Sequence, residues 1–155
     1  MTTDTRDVPE WFAIAEHEIG IQEVAGPGSN PRVVEYLKTT SLPASMAESD
    51  DTPWCSAFVN WCMERAGIQG TGRANARSWL TWGQPLQMPR VGAVMVFSRE
   101  QAGASAGHVS LFVRDEQMPS GKTVYWCLGG NQNNRVSVNM YPAARLIGIR
   151  WPTNT

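Results

Sequence analysis

A chain of 155 residues and 17.1 kDa, 42% hydrophobic, has the size for one hydrophobic core. Its net charge of −1 excludes the strong field that nucleic acid or an anionic membrane surface would call for. Cys55, Cys62 and Cys127 are odd in number and none are in Cys-x-x-Cys spacing, which excludes a disulfide framework and a paired-thiol zinc site.

Met1 to Asp7 is polar and lacks the apolar stretch of a secretory signal. No run is long enough to span a membrane. The expectation is synthesis in the cytoplasm, with export by a route other than a cleaved signal. Trp11, Ile14, Ala15 and Glu18/Ile19 follow helical spacing from Pro9 to about Ile19, and Gly20 ends the pattern. His17, flanked by Glu16 and Glu18, reads as a solvated position on that helix. Gly26 to Pro31 signals a loop. Val33 to Leu37 reads as a second short helix with Val33, Val34 and Leu37 inward. Thr39 to Asp51 is polar and turn-rich. Asp50 and Asp51 offer carboxylates to a cation, although acids before a helix ordinarily serve its dipole.

The stretch from Asp51 to Cys62 reads as a helix opening on a cysteine. Thr52 is a good N-cap, Pro53 suits the first helical position, and Gly67 supplies a left-handed stop. On this register Cys55 lies about three residues in, among amides with no helical partner and at the positive end of the dipole. That placement favours a thiolate and offers donors to an oxyanion. A cysteine on an apolar helix is usually a small buried hydrophobe. Cys62, on nearly the same face but away from the terminus, reads as core.

Arg73 to Trp82 resembles a short helix with Trp79 and Leu80 inward. From Val91 the pattern turns to strands: Val91–Phe97, His108–Val113, Thr123–Leu128, Val136–Val138 and Leu146–Trp151. Pro119 to Lys122 makes the second and third a hairpin. Cys127 falls within a strand and reads as core. Helices first and a strand meander second predict an α+β fold in a single domain over 1–155, working as a monomer.

His108 starts a strand just after the loop 101–107, and Asn131 ends the next strand. The start of one hairpin strand lies beside the end of the other, which makes these two residues neighbours. If the cysteine helix points its N-terminus at that end of the sheet, Cys55, His108 and Asn131 converge. Such a trio performs acyl transfer: a thiolate attacks, an imidazole moves the proton, and an amide fixes the tautomer. Residues 129–134 also read simply as a polar turn.

Several motifs run in order along nearly the whole chain: Glu18–Gly26, Asn30-Pro31, Asp51-Thr-Pro-Trp-Cys-Ser-Ala-Phe-Val59, Ala76-Arg-Ser-Trp79, Gly107-His-Val109, Leu128-Gly-Gly-Asn-Gln132 and Leu146–Pro152. With them the chain resembles the papain-like peptidoglycan hydrolases of the NlpC and CHAP type, in the compact form found in phage lysis proteins and secreted antibacterial effectors. The resemblance implies N-terminal helices with the nucleophile helix packed on a small antiparallel β-sheet. It implies Cys55 as nucleophile, His108 as base and Asn131 in the third role, with Gln132 the alternative. Trp54 stands where relatives commonly carry an aspartate, and a bulky side chain there implies a shaped cleft. Trp54, Gly107 and Gln132 are thus the expected substrate-binding residues.

The expected substrate is the stem peptide of peptidoglycan, cut at the muramoyl–L-alanine amide or within the peptide. No cofactor and no metal is expected. With no wall-binding repeat, targeting would come from the cleft or from a partner. An effector would act in the periplasm after delivery by a secretion system and would need an immunity protein. A lysis enzyme would reach the wall through a pore. The rival readings are a wall- or peptide-binding module without catalysis, and a metal site built on Cys55 and His108.

Overall fold

A computed structural model describes residues 7–24, 28–47, 53–99 and 107–153. Among the described residues four α-helices precede six strands: α1 (Glu10–His17), α2 (Pro31–Leu37), α3 (Ala44–Ala47), α4 (Cys55–Arg65), β1 (Gln84–Pro85), β2 (Val94–Ser98), β3 (Gly107–Gln117), β4 (Thr123–Gly129), β5 (Ser137–Pro142) and β6 (Leu146–Trp151). The short helix expected over Arg73 to Trp82 is a 3₁₀ helix spanning Ala76–Thr81, and a second short one spans Ala143–Arg145. The architecture is α+β, as the pattern predicts.

The sheet is antiparallel throughout, in the order β1-β6-β2-β3-β4-β5. The long hairpin β3–β4 pairs Leu111 with Leu128 and Phe112 with Cys127, and a bulge at Val113 then shifts the register toward the turn. The strand expected over 136–138 starts one residue later and runs on as Ser137–Pro142, because Val124 to Gly129 offers it a full-length partner.

Helix α4 lies at the centre. Every residue from Cys55 to Met63 is buried, including Ser56 and Asn60, as for a helix packed on all sides. Its polar members are satisfied. Ser56 Oγ donates to Arg73 O at 2.7 Å and accepts from Trp79 Nε1 at 2.9 Å. Asn60 Nδ2 donates to Arg73 O at 3.2 Å, and its Oδ1 accepts from Gly72 N at 2.9 Å. These bonds tie the 70–73 segment down without leaving a buried polar group unpaired.

On the other side α1 and α2 close the core. Trp11 and Phe12 face inward, Ile19 is half exposed, and Glu18 is buried in its place. The Glu18 carboxylate accepts from Tyr36 Oη at 2.7 Å and pairs with Arg32 at 3.3 Å, which accounts for an acid turning inward where hydrophobic spacing alone favours Ile19. Asn30 caps α2 by accepting from Arg32 N at 2.8 Å.

Candidate active site

Helix α4 starts two residues later than the capping residues suggest. Its first residue is Cys55, Trp54 is the N-cap with no side-chain cap bond, and Phe58 N to Trp54 O at 3.0 Å is the first intrahelical bond. The amides of Cys55, Ser56 and Ala57 therefore precede the helical ladder, and the thiol stands at the very mouth of the dipole. Thr52, expected as the cap, and Asp50 and Asp51, expected as cation or dipole partners, lie outside the described residues, as does the loop at 101–106.

Cys55 is 6% exposed and His108, near the start of β3, is 4% exposed. Burial pushes the Cys55 thiol up, but the His108 charge and hydrogen bond, the Val109 backbone and the Arg99 charge outweigh it and hold the thiol below its ordinary value. The buried Nδ1 of the imidazole makes no hydrogen bond. Cys62 and Cys127 behave oppositely. Burial raises both, Cys127 to about 12. Of three thiols, only the one at the helix mouth is placed to ionise readily.

The other imidazole nitrogen meets Gln132. His108 Nε2 lies 2.9 Å from Gln132 Oε1. The carboxamide is held from behind, since Gln132 Nε2 donates to Ser137 O at 2.7 Å and to Cys127 O at 3.2 Å. Both amide hydrogens are thus spent on carbonyls, so the carboxamide presents its oxygen to the ring. Facing that acceptor, the neutral imidazole carries its proton on Nε2 and keeps the lone pair of Nδ1 free to take a proton.

Asn131, the expected third residue, is level with His108 if the β3–β4 register is extended, but it does not reach the ring. The chain turns at Gly129 and Gly130, and Asn131, Asn133 and Asn134 take positive φ of 58°, 59° and 61°. The left-handed turn sends the side chain of Gln132 back under the sheet and leaves Asn131 lining the adjacent cleft. The two glycines are needed because the turn is tight. A Cβ on Gly129 would stand 2.6 Å from Gln132 Oε1, and one on Gly130 would stand 2.7 Å from both Phe58 Cβ and Trp54 Cζ3.

Trp54 does not shape a cleft. It is fully buried, packs on Tyr36 at 5.7 Å between ring centroids, and donates from Nε1 to Glu23 Oε1 at 2.7 Å. A residue directly before a helix that is buried on all sides is drawn into the core with it. Gly107 pairs with Ser98, and its carbonyl accepts from Arg99 Nε at 3.1 Å. It flanks the cleft without lining it.

Sequence reasoning missed Tyr141. Its ring stacks on His108 at 4.9 Å and on Phe97 at 5.0 Å, and its Oη lies 3.1 Å from His108 Nε2. It sits on β5, two strands away from His108, and only the sheet order brings it there. The cleft beside His108 encloses about 220 Å³ and is lined on its polar side by Arg99, Arg145, Tyr141 and three asparagines, among them Asn131. Among the described residues no group of three histidine, cysteine or acidic side chains is placed to hold a metal ion.

The family model described as the CHAP domain matches residues 47–131, over half of the chain and inclusive of Cys55 and His108. Among solved structures, the chain is similar to a Staphylococcus aureus protein described as similar to a lipoprotein of the NLP/P60 family, at 17% identity and a TM-score of 0.51, covering 98% of this chain and 46% of that one. This chain thus spans less than half the length of that protein, and the likeness shows a shared papain-like α+β fold. No curated protein matches.

Proposed function

The chain belongs to the CHAP domain family, whose character is that of peptidoglycan hydrolases, and from that premise we propose that it is a cysteine hydrolase cutting an amide of the cell-wall stem peptide. The observation that carries the reading is the line Cys55–His108–Gln132: a thiol held low at a helix mouth, an imidazole beside it, and a carboxamide that sets the imidazole's tautomer.

In this mechanism His108 Nδ1 takes the Cys55 proton and the thiolate adds to the amide carbonyl. The amides at the start of α4 stabilise the oxyanion. His108, now protonated and held by Gln132, returns the proton to the departing amine. Water, activated by the same imidazole, then releases the acyl group. One chain furnishes every group, which supports action as a monomeric single domain over 1–155.

We place the activity in the bacterial wall, as a bacteriolytic enzyme. The net charge of −1 favours a secreted effector, guarded in its producer by an immunity protein, over a basic lysis enzyme. Digestion of purified peptidoglycan with the wild type and Cys55→Ala, read by mass spectrometry of the muropeptides, tests the activity and identifies the bond. A new amine and a new carboxyl terminus are expected only with the wild type. Full lytic activity in Cys55→Ala would remove Cys55 as nucleophile, and wall binding by the wild type with no change in the muropeptides would assign the fold to binding. Expression directed to the periplasm of a susceptible bacterium should lyse it, whereas cytoplasmic expression should not.

A further inference from the structure

Two arginines from separate elements line the cleft beside His108. Arg99 follows β2 and is anchored by its Nε donating to Gly107 O at 3.1 Å. Arg145 ends the 3₁₀ turn between β5 and β6, and its carbonyl accepts from Ser98 Oγ at 3.4 Å. Both line the cleft, together with Tyr141 and the asparagines, and no carboxylate is among the described lining residues. Two cationic side chains thus border one small cleft in a chain of nearly balanced charge. Arg99 also lies near enough to Cys55 and Tyr141 for its charge to be felt at both.

Geometry further says which part of a substrate enters. His108, which hands a proton to the departing amine, lines this cleft, whereas Cys55, which keeps the acyl group, does not. We propose that the cleft is a carboxylate subsite, in which Arg99 and Arg145 bind a carboxylate borne on the leaving-group side of the scissile amide. This deepens the hydrolase reading above and rests on it for the direction of the substrate. The planar fork of arginine suits paired hydrogen bonds to a carboxylate, and a group fixed there sets the amide against the thiol before attack.

The test measures binding apart from turnover. The Cys55→Ala protein is titrated calorimetrically with the stem tripeptide L-alanyl-γ-D-glutamyl-diaminopimelic acid, and with the same tripeptide whose carboxylates are all converted to carboxamides. The free acid should bind about tenfold or more tightly. Arg99→Gln and Arg145→Gln, each added to Cys55→Ala, should bring the two within about threefold. Arg145→Lys, which keeps the charge and guards against misfolding of the glutamine variant, should retain part of the preference. Equal binding of the two peptides, binding of neither, or a preference that survives both glutamine substitutions would overturn the subsite. Selective binding without cleavage by the wild type would leave the subsite standing and remove the hydrolase reading. Cleavage without selectivity would do the reverse.

Discussion

Gln132 accepts from His108 Nε2 through an oxygen whose partner nitrogen is already committed to two backbone carbonyls, so the side chain cannot flip without breaking three bonds. Replacing it with alanine should lower kcat/KM by about a hundredfold or more, because the imidazole loses the group that fixes its tautomer. The carbonyls of Cys127 and Ser137 would also lose a donor, at a stability cost of about 1–3 kcal/mol. Asn131→Ala should change kcat/KM by no more than about threefold, since Asn131 lines the cleft and leaves the ring alone. Steady-state kinetics and urea unfolding of the two variants separate the roles. Equal losses would refute the assignment of Gln132.

Gly129→Ala and Gly130→Ala should fail in different ways. At Gly129 the new methyl collides with the Gln132 carboxamide, so activity should fall toward that of Gln132→Ala. At Gly130 it meets Phe58 and the buried Trp54, and the main effect should be overpacking worth about 1–3 kcal/mol. Thermal melts beside kinetics would distinguish them.

The Cys55 thiol should alkylate with iodoacetamide at pH values where an ordinary thiol is still protonated, the rate falling as pH drops through its lowered pKa. His108→Ala removes the largest of the lowering influences and leaves burial to act. The midpoint of the rate–pH curve should then move up. An unchanged midpoint would show that the helix mouth alone ionises the thiol.

Cys62 and Cys127 carry a stability prediction of opposite sign. A buried thiol raised on folding stays neutral while the unfolded chain ionises, so its contribution is complete below the unfolded value and is lost as pH rises. For Cys127 the window opens near the ordinary value of 9.0 and closes at about 12. Stability from urea unfolding should fall between pH 8 and pH 10.5 (values chosen at roughly either side of thiol ionisation). In Cys127→Ala the slope should be shallower.

Tyr141→Phe keeps the ring stacked between Phe97 and His108 and removes only the hydroxyl at Nε2. A loss of about threefold to tenfold in kcat is expected. Tyr141→Ala should cost more, because the imidazole loses a wall as well. A shift of the acidic limb of the kcat/KM–pH profile in the phenylalanine variant would mark a positioning role that a purely structural residue would not have.

Much of the molecule was legible along the chain. Period-2 alternation placed the strands of the β3–β4 hairpin to within a few residues, because one face of each is forced into the core. Helical spacing placed α1, α2 and α4. The capping logic failed at Thr52 and Pro53 because burial of Trp54 fixes where α4 begins. Glu18 defied its pattern because Tyr36 and Arg32, remote in sequence, give the carboxylate partners.

By itself the sequence determined a cysteine at a helix mouth, a histidine opening a strand, and a glycine-rich turn ending the next; these are local features written in neighbouring residues. Only the tertiary structure decided that Gln132 and not Asn131 meets the ring, that Trp54 is core, and that Tyr141, Arg99 and Arg145 surround His108. The reason is that a side chain's direction after a left-handed turn, and the company a strand keeps across a sheet, depend on backbone geometry and pairing order that no spacing of residues encodes.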